Sequence, residues 1–246
     1  MKVVVLGATG GMGRAVSRRL AERGDRLFLL GIDAKELERS AADLTLRGKD
    51  RDPVGFAECD LEDPACFEQA LSLADAHLGG FDTVIVTAAL FGTGERLEED
   101  TVFAHRLLVA NFANTIAFCE LARKRLLSRG GGTLCVFSSV AGDRGRKPVF
   151  IYGASKAGLS TYLEGLDHRF RSEGLVTVCV KPGFVKTQMT AGLKPPPFAG
   201  EPDQVAALVV RAIDKGTPVV YAPRAWALVM FVIRALPRFI MRKVGF

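Results

Sequence analysis

Seven short apolar runs punctuate the chain, the first of them rich in β-branched residues: Met1–Leu6, Arg26–Leu30, Val54–Ala57, Thr83–Thr87, Thr133–Ser138, Val176–Val180 and Pro218–Tyr221. Near-continuous apolarity over four to six residues is the pattern of strands covered on both faces. Between them lie stretches with apolar positions three and four apart, which predict helices at Arg14–Arg23, Lys35–Leu46, Thr101–Ser128, Tyr152–Ser172 and Pro202–Lys215. Strands alternating with helices imply an α/β fold, a doubly wound parallel sheet of the Rossmann-like kind. No repeat, linker or low-complexity tract interrupts the alternation, so the expectation is one domain. Residues 1–225 form its body and residues 226–246 a tail of the same domain.

The tail breaks the pattern. Trp226–Ile233 is eight unbroken apolar residues, followed by arginines about four apart. A bilayer span needs about 20 apolar residues, so this segment is too short to cross. Two readings stay open: an amphipathic helix lying in a membrane interface, or a helix packed on the core or on a second subunit. Charge sharpens the contrast. Of the formal net charge of +6, residues 224–246 carry five basic side chains and no acid, whereas the body is nearly balanced. The basic character belongs to the tail, and nucleic acid is not an expected partner.

Hydrophobic content of 48% and charged content of 24% are those of an ordinary globular protein. Five cysteines, Cys59, Cys66, Cys119, Cys135 and Cys179, are scattered and form no C-x-x-C pair. Free thiols in a reducing compartment are the expectation, with no metal site. His77, His105 and His168 have no ligand spacing and read as surface or structural. The chain enters a strand at once, which leaves no room for a signal peptide and points to the cytoplasm.

Three segments carry candidate chemistry. Met1–Leu6 runs into Gly7-Ala8-Thr9-Gly10-Gly11-Met12-Gly13 and then a helix. A strand, a glycine turn and a helix N-terminus make an anion site, where free N–H groups and the helix dipole face phosphates. Farther on, Tyr152 and Lys156 stand four residues apart in the stretch Gly145–Leu159. On a helix this spacing brings the Cβ atoms within about 5–6 Å. The ammonium is expected to lower the phenol pKa and prepare Tyr152 for proton transfer with a carbonyl or alcohol. Ser139 ends the strand Thr133–Ser138, where ligands bind in open α/β sheets.

Together the glycine turn, Ser138-Ser139-x-x-Gly142, Tyr152-x-x-x-Lys156 and Pro182-Gly183 with Thr187 resemble the short-chain dehydrogenase/reductase family over nearly the whole chain. The resemblance implies a nicotinamide dinucleotide held by Gly7, Thr9, Gly10, Gly11, Met12 and Gly13. Asp33 would face the adenosine ribose, Asp60 and Leu61 the adenine, and Ala88 the wall behind the cofactor. Pro182, Gly183, Val185 and Thr187 would lie beside the nicotinamide. It makes Ser139 a hydrogen-bond donor to the carbonyl oxygen, Tyr152 the acid, and Lys156 the holder of the ribose hydroxyls. Asn111 would maintain a water relay to Lys156. Two of these carry bland alternatives: Asn111 as a buried amide satisfying backbone groups, and Asp60 as a helix cap.

Where NADP-dependent relatives often have arginine, this chain has Ile32 followed by Asp33, although Arg14 could meet a phosphate. The balance falls to NAD(H) over NADP(H). The family's usual Asn-Asn-Ala-Gly is replaced by Thr87-Ala88-Ala89-Leu90, which puts the local strand geometry in doubt. Residues 188–201, with Lys194-Pro195-Pro196-Pro197-Phe198, stand where the family places a substrate lid. Further likeness in Ser138–Arg144, Lys186–Lys194 and the segment from Tyr221 to Lys243 is to family members that reduce a 2-keto pentose carried on a polyprenyl phosphate. That likeness implies a lipid-linked ketone supplied by a flavoprotein oxidase, association with the inner face of a membrane, and a homo-oligomer. A 3-ketoacyl or other keto-lipid reductase is the alternative within enzymes. A dinucleotide-sensing regulator without turnover is the alternative outside them.

Overall fold

The computed structural model describes residues 1–196 and 198–243. Seven strands, β1 (Lys2–Leu6), β2 (Arg26–Gly31), β3 (Gly55–Glu58), β4 (Thr83–Val86), β5 (Gly132–Phe137), β6 (Leu175–Pro182) and β7 (Val219–Ala222), form one parallel sheet in the order β3-β2-β1-β4-β5-β6-β7. Val3 of β1 pairs with Leu27 on one side and Thr83 on the other. The order reverses between β1 and β4, which opens a crevice beyond their C-terminal ends.

Alternation within each strand explains the continuous apolar runs. Val4 and Leu6 point into one core with helices α3 (Phe67–Leu78), α6 (Thr115–Ser128) and α7 (Phe150–Phe170). Val3 and Val5 point into the other with α1 (Gly11–Arg23), α2 (Ala34–Arg47) and α8 (Pro202–Lys215). A strand buried on both faces has no polar side to show. The departure at Thr87 leaves the strands well joined: its hydroxyl lies 3.1 Å and 3.0 Å from the Leu6 and Gly7 carbonyls, bridging β4 to β1.

The helix expected over Thr101–Ser128 is present over its full length, with a local widening in the middle. After α4 (Gly94–Glu99), helix α5 (Thr101–Leu108) widens into a π-turn at Val109–Asn114 before α6 begins. The cause lies across the fold. Asn111 is fully buried, its Oδ1 accepts from the Leu90 N–H and its Nδ2 donates to the Leu90 carbonyl, both at 2.7 Å. The Thr115 hydroxyl donates to the Ala110 carbonyl at 2.8 Å. The α5–α6 segment is long and apolar enough to cross a membrane, yet Leu107, Ala110, Phe118 and Ala122 are buried in the protein.

The tail folds as α9 (Ala225–Ala235) and α10 (Arg238–Met241). Trp226, Met230 and Ile233 pack against Val140, while Leu228, Phe231, Val232 and Phe239 face outward. Of the two readings of the tail, packing on the core is the one seen: one face of α9 is core, and the other is bare. Residues 244–246 of the tail, and Pro197 of the expected lid, lie outside the described residues. All five cysteines are free thiols, four of them buried.

Candidate active site

A cavity of about 720 Å³ opens at the crevice. Gly10, Gly11, Met12 and Gly13 form one wall; Ser139, Tyr152 and Lys156 another; Pro182, Gly183, Val185 and Thr187 a third. Four segments far apart in sequence thus meet at one site.

The glycine wall is shaped by close approach. A Cβ on Gly13 would lie 2.1 Å from the Gly7 carbonyl oxygen, so only glycine lets α1 start directly against β1. The α1 N-terminus has no side-chain cap and no acid in its first turn. Its free N–H groups and dipole therefore face the cavity without internal neutralisation, which suits a dinucleotide's phosphates.

Tyr152 stands in the first turn of α7 and is buried, its ring edge-on to Phe91 with centroids 5.2 Å apart. Lys156 follows one turn later. Its Nζ donates to the Phe137 carbonyl at 2.9 Å and lies 5.8 Å from the Tyr152 ring centre. The expected lowering of the phenol pKa is not what this arrangement produces. Burial raises Tyr152 to about 12, and the neighbouring Ser139 hydroxyl offsets only part of that. Burial also pulls Lys156 down to about 8. Desolvation penalises both charged forms, and the ammonium is turned toward the Phe137 carbonyl. The phenol is consequently a neutral, loaded proton donor at physiological pH.

Ser139 accepts a hydrogen bond from the Ala141 N–H at 3.1 Å, which fixes its hydroxyl at the β5 end. Its neighbour Ser138 faces inward and hydrogen-bonds the Lys156 carbonyl at 2.9 Å, locking α7 to β5. Gly183 marks a second close approach: a Cβ there would lie 2.0 Å from Trp226 Nε1. The tail thereby becomes part of the cavity wall, with Trp226 lining it.

Other expected site residues lie outside this cavity. Gly7 and Ala88 sit at the ends of β1 and β4, and the Ala88 N–H donates to the Leu6 carbonyl. The Thr9 carbonyl accepts from Arg14 Nε at 2.6 Å. Asp33 is exposed and caps α2 by accepting from the Glu36 N–H at 3.1 Å. Asp60 Oδ1 accepts from the Glu62 N–H, and the capping role falls to Asp63, which accepts from Ala65 N–H. Leu61 is buried beside it. Asn111 makes no hydrogen bond to Lys156; its amide is committed to Leu90 on both ends, as in the bland alternative. Arg14 pairs with Glu36 at 2.6 Å, and Glu36 also takes Arg39, so a carboxylate already holds the guanidinium that could have met a phosphate.

Sequence reasoning missed Phe91, Arg146 and Trp226 as cavity residues. Arg146 lies within Gly145–Leu159, but one residue in a charged loop has no periodicity to mark it.

The short chain dehydrogenase family profile matches residues 1–197. The chain belongs to that family, whose members are oxidoreductases that use NAD(P). It is 33% identical over 244 residues to an uncharacterized oxidoreductase of Mycobacterium tuberculosis, covering 98% of this chain and 96% of the relative. A Streptomyces coelicolor uncharacterized oxidoreductase is 34% identical over 249 residues, covering 98% and 95%. The fold also matches a short-chain type dehydrogenase/reductase structure from Mycobacterium ulcerans, with a TM-score of 0.81 at 18% identity over 89% of this chain and 86% of that one.

Proposed function

We propose that this protein reduces the ketone of an amphiphilic, lipid-linked substrate with NAD(P)H. The observation that carries the reading is the meeting of Ser139, Tyr152 and Lys156 with the α1 glycine turn in one cavity, which Phe91, Phe184, Met189, Leu193 and Trp226 also line. Gly10, Gly11, Met12 and Gly13 would hold the dinucleotide phosphates, and Gly7, Thr9, Asp33, Asp60, Leu61 and Ala88 flank them along the same sheet edge. Pro182, Gly183, Val185 and Thr187 would flank the nicotinamide, which supplies hydride to the carbonyl carbon. Ser139 donates a hydrogen bond to the carbonyl oxygen and stabilises the growing alkoxide. Tyr152 then gives that oxygen its proton, closing the balance from ketone to alcohol. Its raised pKa suits this direction, because the phenol is protonated when the alkoxide forms. Lys156 supplies positive charge at the site and binds the ribose hydroxyls. Asn111 acts by fixing Leu90, and so the β4 exit, rather than by touching the reacting atoms.

NAD(H) is favoured over NADP(H): Ile32 is exposed where an arginine would serve a 2′-phosphate, Asp33 follows it, and Arg14 is engaged by Glu36. For the substrate, the resemblance is to the reductase subunit of decaprenylphosphoryl-ribose 2′-epimerase, which works with a flavin oxidase. Support comes from the outer face of the tail. Leu228, Phe231, Val232 and Phe239 are bare, and Arg224, Arg234, Arg238, Arg242 and Lys243 are exposed with no carboxylate partner among the described residues. Apolar residues with unpaired cations fit the anionic inner face of a membrane. Family members often oligomerise, and we extend that expectation to this chain. The test is oxidation of NADH and NADPH against keto-lipids, among them a 2-keto pentose on polyprenyl phosphate and 3-ketoacyl chains. Turnover of the first over the second supports the reading; turnover of 3-ketoacyl chains alone overturns the substrate class.

A further inference from the structure

Two thiols stand together just beyond β3. Cys59 follows the strand, Cys66 closes a turn of 3₁₀ helix at Pro64–Cys66, and their sulfurs are 3.7 Å apart. The segment between them holds Asp60 and Leu61, the residues expected at the adenine. The two sulfurs differ in access. Cys59 is 2% exposed and belongs to the core that holds Leu61 and Phe67, whereas Cys66 is half-buried. Cys119, Cys135 and Cys179 are buried, so Cys66 is the thiol that a solvent oxidant meets first. Burial pushes the Cys59 thiol up, which makes it a poor nucleophile toward anything in solvent.

Cys66 also organises the turn. Its Sγ lies 3.0 Å from the Asp63 carbonyl, to which it donates, and 3.6 Å from the Asp60 carbonyl. The Asp63 N–H donates to that same Asp60 carbonyl at 3.0 Å, and the Glu62 N–H donates to Asp60 Oδ1 at 2.9 Å. The thiol thereby ties the far end of the turn to the backbone that presents Asp60 and Leu61. A sulfur in a disulfide has no hydrogen to donate, and bonding would draw the two sulfurs from 3.7 Å into covalent contact. Both changes act on the segment at the adenine.

We propose that Cys59 and Cys66 form a thiol–disulfide site, oxidised by low-molecular-weight disulfides, whose oxidation weakens dinucleotide binding. The Cys66 thiolate attacks one sulfur of the small disulfide RSSR, giving a mixed disulfide and releasing one RS⁻. Cys59 then attacks Cys66 Sγ, forming the bond between the two protein sulfurs and releasing the second RS⁻. Two protein thiols are oxidised, RSSR is reduced to two RSH, and the protein's thiol protons pass to the leaving sulfurs. The second attack is intramolecular, so proximity offsets the small thiolate fraction of Cys59. In a thiol-rich compartment such a bond is reversible and suits sensing rather than structure. The effect on binding rests on the reading that Asp60 and Leu61 hold the adenine.

The test equilibrates the full chain in glutathione buffers of graded GSSG/GSH² ratio and reads the product by intact mass and peptide mapping. A loss of two hydrogen masses, mapped to Cys59 and Cys66, is expected. NADH affinity by calorimetry should then fall at least about threefold. Cys59→Ser should stop at a mixed disulfide on Cys66. Cys66→Ser keeps a hydroxyl donor, so it should bind NADH within about twofold of the reduced wild type and hold that affinity in every buffer. The coupling is reciprocal: saturating NADH should raise the GSSG/GSH² ratio at half-oxidation by the factor through which oxidation weakens NADH. No bond between Cys59 and Cys66 in any buffer overturns the proposal, and so does a bond that leaves NADH affinity unchanged. In that second case Asp60→Ala, measured reduced, tells the two failures apart. Weakened NADH binding in this variant keeps the adenine reading and sinks the redox site alone; unchanged binding sinks both.

Discussion

Lys156→Met is expected to reveal a charge held in the core at a cost to stability. Lys156 is 2% exposed, its ordinary pKa is 10.5, and burial brings it to about 8 in the folded protein. At about 1.36 kcal/mol per pH unit, that difference penalises the folded ammonium by about 3 kcal/mol at neutral pH. The sign follows from linkage: between pH 8 and 10.5 the unfolded chain binds more protons than the folded one, so stability rises with pH. Lys156 thus contributes stability above pH 10.5 that is lost as pH falls through about 8. Tyr152, raised to about 12, acts oppositely and only above pH 10. Urea unfolding of wild type and Lys156→Met without dinucleotide, from pH 7 to pH 10, isolates the lysine because every other titration cancels. The wild type should gain about 2 kcal/mol on the variant across that range. The lost bond to the Phe137 carbonyl adds an offset of about 1–3 kcal/mol that does not vary with pH. A flat difference, or one that falls with pH, would refute the desolvation argument and restore a lysine that tunes Tyr152 by its charge.

Tyr152→Phe should lower kcat at least about tenfold while dinucleotide affinity, measured by calorimetry, is kept, because the phenol proton is used only in the chemical step. Wild-type kcat/KM should be higher with NADH than with NADPH, and Ile32→Arg should shift the ratio toward NADPH; a wild-type preference for NADPH would sink the reading. Leu228→Gln with Phe231→Gln should release the protein from anionic vesicles, and high salt should do the same to the wild type. Both side chains are more than 70% exposed, so urea stability should stay within about 0.5 kcal/mol. Truncation at residue 226, by contrast, should destabilise by several kcal/mol, since Trp226, Met230 and Ile233 are buried and each is worth about 1.5–3 kcal/mol.

The inner strands were legible because they are covered on both faces, and burial on two sides writes an unbroken apolar run into them, whereas the edge strands β3 and β7 are half-exposed. Tyr152 and Lys156 were legible because a four-residue spacing on a helix fixes their proximity without any other part of the chain. The glycine turn was legible because a missing Cβ is a property of the residue. What those residues experience was decided by partners distant in sequence. Tyr152 keeps its proton because Phe91 and the surrounding core exclude water from it, and desolvation sums over every neighbour at once. Asn111 opens a π-turn because Leu90, 21 positions away, takes both ends of its amide. The tail's eight apolar residues look alike in sequence; the contact of Trp226, Met230 and Ile233 with Val140 determines which face is core and which remains bare.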